Sequence, residues 1–247
     1  MRLTKRTHRW LWTVGVVGTA LALLLGLTYY GVLRPTRWIA ERYPVHGVDV
    51  SSYQGDIDWP TLAAQDIAFA FIKATEGSSL TDRCFAYNFE QARLAGLRVG
   101  AYHFFSFDSP GETQVAHFIA TVPKTAGMLP PVIDVEYYGD YFADPPPADR
   151  VTPQLQTLID RLTAHYGTPP ILYATGRAYA RYLKGNYPDC AIWIRDVYTP
   201  ASLPDGRDWT FWQYDDHAVL KGYDGDERYI DMNIFCGTQE EFKKYGI

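Results

Sequence analysis

Cysteine, basic charge and long apolar runs are all scarce in this chain of 247 residues. Its three cysteines are Cys84, Cys190 and Cys236, and their spacing fits no zinc or redox motif. An odd count excludes full internal pairing. A Cys190–Cys236 bridge is compatible with an oxidising compartment, while three buried thiols are the simpler expectation. No metal and no cofactor is expected. Residues 1–45 hold seven of the 23 basic groups (Arg2, Lys5, Arg6, Arg9, Arg34, Arg37, Arg42) and one of the 28 acidic ones (Glu41). That leaves 16 basic and 27 acidic groups in residues 46–247, a net charge of −11. So acidic a domain repels phosphate backbones, which argues against nucleic acid as a partner. No internal repeat and no low-complexity tract is present. What is abundant is aromatic: 19 Tyr, 12 Phe and 7 Trp. Rings with a polar tip suit stacking surfaces, but most are expected in the core.

The one long apolar run is Trp10 to Leu33, 24 residues without a charge. At about 1.5 Å per residue it spans a hydrocarbon core of about 30 Å. A cleavable signal has an apolar region of only about 7–15 residues followed by a small-x-small site. This run is longer and ends in Tyr29-Tyr30-Gly31-Val32-Leu33, a poor cleavage site. Tyrosines and tryptophans near both ends resemble an interfacial belt. The expectation is an uncleaved, single-pass signal anchor over 10–33, with 1–9 as a basic cytoplasmic segment and 34–45 as a linker. Residues 46–247 would lie outside the cytoplasm. Arg34 and Arg37 oppose that orientation weakly.

From His46 onward, strand-like and helix-like segments alternate, which predicts an α/β architecture. Strands are predicted at 47–50, 67–73, 99–105, 132–135, 170–173, 191–195, 209–214 and 228–233. Helices are predicted after Asp58 as N-cap with Pro60 in the first turn, over 82–95, from Ser109-Pro110, from Thr152-Pro153 to a stop at Gly167, and from Thr175. Thr238 with Glu241 forms a capping box for a terminal helix. No helical period separates the last strands. Residues 137–151 form a Pro-rich acidic loop, suited to a substrate wall or to an ordinary surface excursion.

The fourth strand ends in Asp134-Val135-Glu136. Residues i and i+2 of a strand share a face, so the two carboxyls project side by side. The C-terminal end of a strand is where α/β active sites sit. Neighbouring carboxylates resist joint ionisation, so one pKa rises into the range of a general acid. Two solvated acids at a strand end is the bland alternative.

Taken together, HGVDVSSYQGDIDW (46–59), FAFIKATEG (69–77), GLRVGAYHFF (96–105), PPVIDVE (130–136), ILYATG (171–176), IWI (192–194), WQY (212–214) and IDMN (230–233) resemble glycoside hydrolase family 25, the N-acetylmuramidase lysozymes. The resemblance implies an irregular eight-stranded β/α (TIM-like) barrel with fewer helices than strands. It implies hydrolysis of the β-1,4 bond between N-acetylmuramic acid and N-acetylglucosamine in peptidoglycan glycan strands, by a monomeric catalytic domain. A non-catalytic peptidoglycan binder on the same fold, and a glycosidase acting on chitin-like chains, are the alternatives.

The family's four acids fall on Asp49, Asp134, Glu136 and Asp231. Glu136 would be the general acid, its pKa raised by Asp134 and partial burial. Asp134 would stabilise charge at the anomeric centre or hold the 2-acetamido group. Asp49 and Asp231 would shape the field from facing strands. Structural alternatives are Asp49 as a cap for the Ser51 and Ser52 backbone, and Asp231 paired with Arg228 or Lys221. Tyr53, Tyr102, Tyr173, Trp193, Gln213 and Tyr214 are candidates for a sugar groove. Lys73, Glu76 and His103 suit internal pairing as well as ligand contact. The chain departs from the family at Arg195-Asp196, where an Arg near the cleft is placed to grip a stem-peptide carboxylate or the lactyl group.

Overall fold

The computed structural model describes residues 5–29, 31 and 33–247. Arg2, used above to orient the anchor, and Tyr30 and Val32 of the cleavage-site reading lie outside the described residues. Helix α1 (Lys5–Tyr29) takes up the apolar run from Trp10 as far as Tyr29. Its stretch Arg9–Tyr29 is long and apolar enough to cross a membrane, and none of its most apolar window is buried against the protein.

The expected linker is a folded part of the domain. Helix α2 (Pro35–Ala40) starts with a proline in its first turn and buries Thr36 and Ala40. Arg34 is 4% exposed. It pairs with Asp215 and Asp216, and Arg37 Nε reaches Asp215 Oδ2 at 2.5 Å. Pattern reading cannot find such a contact, because the partners stand about 180 residues apart.

Strands β1 (His46–Val50), β2 (Phe69–Glu76), β3 (Arg98–Phe104), β4 (Val132–Val135), β5 (Ile171–Thr175), β6 (Ile192–Arg195) and β7 (Phe211–Ala218) run parallel. Strand β8 (Ile230–Phe235) is antiparallel to both β7 and β1 and closes the barrel. An antiparallel neighbour needs no crossover helix, which explains the missing helical period between the last strands. A two-residue strand, Leu80–Thr81, extends the end of β2. The fold is the expected eight-stranded barrel with fewer helices than strands.

Helices α3 (Trp59–Ala63), α4 (Phe85–Leu94), α5 (Gly111–Thr121), α6 (Ala148–Tyr166), α7 (Gly176–Ala178, continued by a π turn at Tyr179–Leu183) and α8 (Gln239–Lys244) cover the outside. Asp58, Thr175 and the Thr238–Glu241 box cap as expected. Two starts differ. Helix α5 begins at Gly111 after Pro110, because the Gly111 N–H donates to Gln154 Oε1 across the α5–α6 contact. Helix α6 begins four residues before Thr152 and contains Pro153. Pro153 withholds a hydrogen bond only from the carbonyl of exposed Asp149, which water can satisfy.

Inside the barrel, Phe69, Phe71, Trp193, Phe211 and Phe235 pack as one cluster, closed below by Phe242 of α8. Two strand glycines give these rings room. A Cβ on Gly47 would lie 2.5 Å from the Phe69 ring, and one on Gly100 2.6 Å from the Phe71 ring. The apolar floor thus fills the lower barrel and leaves polar residues at the strands' C-terminal ends. No disulfide forms: Cys84 and Cys190 are buried free thiols, whereas Cys236 is an exposed one, against the expectation of three buried thiols.

Candidate active site

At the C-terminal end of the barrel lies a cleft of about 590 Å³ whose lining includes Asp49, Asp134, Glu136 and Asp231. A deeper recess of about 100 Å³ at its base is walled by the same four acids with Tyr102, Tyr173, Trp193 and Gln213. Strand alternation places them there. Asp49 follows inward Gly47, Tyr102 follows Gly100, Asp134 follows Val132, and Tyr173 follows Ile171, each by two residues.

Burial dominates the electrostatics. Desolvation lifts the Glu136 carboxyl to about 7. The Arg195 and Lys73 cations oppose that rise, and the Asp49 charge adds to it. Asp134 rises well above the usual carboxylate range, first through burial and then through the Glu136 charge. Of the two causes expected for Glu136, burial and Asp134, burial is the leading one, and the carboxylate charge that adds to it is that of Asp49. Asp134 Oδ1 is buried and takes no hydrogen bond from the protein.

Asp49 and Asp231 face each other across β1 and β8. Asp49 Oδ2 accepts from Gln213 Nε2 at 2.8 Å and from Asn233 Nδ2 at 2.7 Å. Both acids are raised, Asp231 well above the usual range, with burial first in each case. The capping alternative for Asp49 does not hold, since the Ser51 and Ser52 N–H groups donate to Gln54 and Asp82. Asp231 turns toward Asp49 and Gln213 rather than to Arg228 or Lys221.

A family model, "Glycosyl hydrolases family 25", matches residues 48–223. The chain belongs to this family. It is 35% identical over 236 residues to the protein YegX of Escherichia coli (strain K12), covering 92% of this chain and 84% of that one. It is 31% identical over 219 residues to Lysozyme M1 of Streptomyces globisporus, covering 81% and 70%. A solved family 25 glycosyl hydrolase from Bacillus anthracis matches with a TM-score of 0.80 at 55% identity, covering 84% of this chain and 95% of that one. As a family 25 member the chain is a glycoside hydrolase.

On this family 25 scaffold the expected groove residues divide. Tyr102 lines cleft and recess, and Tyr53 stands 64% exposed at the rim. Tyr173 OH donates to Gln213 Oε1 at 3.0 Å, fixing the amide so that its nitrogen points at Asp49. Trp193 lies deeper as floor, stacked on Phe71 with ring centroids 4.5 Å apart, its Nε1 donating to Asn233 at 2.8 Å. Tyr214 is not a groove residue. It follows inward Gln213 by one position, faces outward, and packs edge-on against His46 and Trp212.

Lys73 lines the cleft and pairs with Glu76 at 2.7 Å. His103 is a buried internal link between Thr75 and Gln114, held down to about 4 by burial. Arg195 Nη2 contacts Asp216 Oδ2 at 2.6 Å, so the guanidinium is partnered within the protein.

Asp216, His217, Glu227 and Tyr229 also line the cleft and escaped pattern reading. A register shift in β7 after Gln213 reverses the alternation. Asp215 turns out toward α2, and Asp216 turns toward the cleft. No local residue signal marks that bulge.

Proposed function

We propose that this glycoside hydrolase is a muramidase that cleaves the β-1,4 bond between N-acetylmuramic acid and N-acetylglucosamine in peptidoglycan. The observation that carries the reading is a pair of carboxyls at the end of β4, one of them pushed up to about 7. Lysozyme M1, similar over most of this chain, supports the substrate class.

In this reading Glu136, protonated below about 7, donates its proton to the glycosidic oxygen as the C1–O bond breaks. Asp134, whose Oδ1 has no partner in the protein, accepts from the N–H of the substrate's 2-acetamido group. That aims the acetamido oxygen at C1, where it bonds as the leaving group departs. Water then attacks C1, the bond from C1 to the acetamido oxygen breaks so that the acetamido group is restored, and the water gives its proton to the Glu136 carboxylate, which restores the acid. Asp49, held as an anion by the Gln213 and Asn233 amides, supplies the negative field opposite, with Asp231 as its partner. The aromatic walls of Tyr53 and Tyr102 take sugar faces.

We further read α1 as a membrane anchor with the barrel on the extracytoplasmic side. Its side chains from Arg9 to Leu25 are exposed, Trp10, Leu23 and Leu25 at more than 60%. The test is release of reducing ends by the purified full chain from peptidoglycan and, in parallel, from chitin. Release from peptidoglycan alone is expected. Binding without release would favour a non-catalytic binder, and preference for chitin would overturn the substrate. For the anchor, the chain should stay in the membrane pellet after an alkaline carbonate wash, and a soluble mature form starting beyond residue 30 would refute it.

A further inference from the structure

Asp216 sits between two arginines of very different origin. Arg34 Nη2, from the segment that directly follows α1, lies 2.8 Å from Asp216 Oδ1. Arg195 Nη2, at the end of β6, lies 2.6 Å from Asp216 Oδ2. His217 Nδ1 lies 2.6 Å from Asp216 Oδ1 and 2.7 Å from Arg34 Nη2. The Arg34 side chain is 1% exposed and that of Arg195 31%. One end of this chain of contacts is therefore fixed in the protein, and the other stands beside the cleft.

A second contact ties the same segment to the cleft wall. Gly31 adopts a φ of +73°, and a Cβ there would lie 2.9 Å from the His217 ring. His217 and Asp216 both line the cleft. The residues after the apolar helix thus back the wall on which the catalytic field depends.

We propose that Arg34 is a positioning residue for the active site, holding Arg195 against the cleft through Asp216. Two guanidiniums on opposite oxygens fix a carboxylate far better than one, because each constrains its plane. Without Arg34, Asp216 keeps only Arg195 and the imidazole, and the partly exposed Arg195 side chain follows it toward solvent. Arg195 is the leading cation that opposes the rise of the Glu136 carboxyl, with Lys73 second and the Asp49 charge acting the other way. Displacing Arg195 therefore moves the proton on Glu136, although Arg34 itself touches neither Glu136 nor the sugar path. A stem residue thereby sets the field at the acid.

The proposal rests on the muramidase reading for its kinetics, and a titration reads it without turnover. The full chain, purified in detergent, is compared with Arg34→Gln, Arg195→Gln and the double variant. Two readouts are followed: the pH profile of kcat/KM on solubilised glycan strands, and the ionisation of Glu136 by carboxyl ¹³C NMR. Displacing a positioned charge is expected to cost about tenfold in kcat/KM. Arg34→Gln should raise the Glu136 pKa toward the Arg195→Gln value, and the double variant should match Arg195→Gln alone. Because Arg34 and Asp215 are both buried, Arg34→Gln also weakens the fold, so Arg34→Lys is run beside it. Lysine keeps the charge without the fork, and its partial loss should vanish when Arg195 is already Gln. Losses that multiply, or a Glu136 titration unmoved by both Arg34 variants, would overturn the proposal. A wild type that releases no reducing ends would defeat the muramidase reading, while the titration would still decide the role of Arg34.

Discussion

Asp49 on β1 and Asp231 on β8 are direct partners across the antiparallel seam that closes the barrel. Two carboxyls so placed, both largely removed from water, do not both carry charge. The hydrogen bonds say which one does. Asp49 Oδ2 receives two amide N–H donors, from Gln213 and Asn233, while the charge of Asp49 pushes Asp231 further up. The site therefore favours charge on Asp49 and the proton on Asp231.

That asymmetry predicts unequal variants. Asp231→Asn imitates the protonated acid and should lose less than about tenfold in kcat/KM. Asp49→Asn points an amide at two amide donors and should lose at least about 10²-fold, the scale of a lost charge-stabilising group in a closed site. Steady-state kinetics on solubilised glycan strands compares the two, and equal losses would remove the assignment.

Glu136 carries the pH dependence. As a general acid it works while protonated, so activity should fall as pH rises through about 7. Glu136→Gln cannot deliver a proton and should lose about 10²–10⁴-fold in rate with fragment binding retained. Stability moves in the same direction. The folded pKa of about 7 exceeds the ordinary 4.5, so the folded state holds the proton more tightly. The stabilisation is complete below about 4.5 and is lost as pH rises through about 7, on the order of 3 kcal/mol at most. Chemical denaturation at pH 5 and pH 8 should show wild type losing stability and Glu136→Gln losing less.

The second carboxyl of the pair was legible for a simple reason: period-two alternation and strand-end placement are local, and both act on Asp134 and Glu136. The barrel was legible for the same reason, since each of its strands carries its own pattern. What escaped was tertiary. Tyr214 was misplaced because the adjacent Gln213 takes the inward position. Asp216 and His217 were hidden by a bulge that only the β7–β8 register reveals. Residues 34–45 read as a linker because the acids that bind Arg34 and Arg37 lie at the far end of the chain.

Packing of the barrel floor predicts a separate effect. Gly100 stands where a Cβ would come within 2.6 Å of Phe71 and 3.1 Å of Leu129. Phe71 is wedged against Trp193 and Phe211, so its ring cannot yield freely. Gly100→Ala should destabilise by about 1–3 kcal/mol, the usual cost of overpacking. A thermal midpoint equal to wild type would show that the floor has slack.

The folded stem changes where the chain can be cut. Removing residues 1–40 takes away Arg34 and Arg37 and leaves Asp215, 1% exposed, with neither cation. It also strips Thr36 and Ala40, both fully buried, from the barrel side. Breaking a buried pair by deleting one partner costs about 3–5 kcal/mol, because the remaining charge stays buried. A chain starting at Leu33 keeps every one of these contacts and loses the apolar helix together with the Gly31 turn beside His217. Through the Arg34, Thr36, Arg37 and Ala40 contacts it should unfold cooperatively at a higher denaturant concentration than a chain starting at Glu41, by an amount of that order. Urea titrations of both chains at pH 7 measure it, and identical midpoints would mean that the stem helix contributes nothing to the fold.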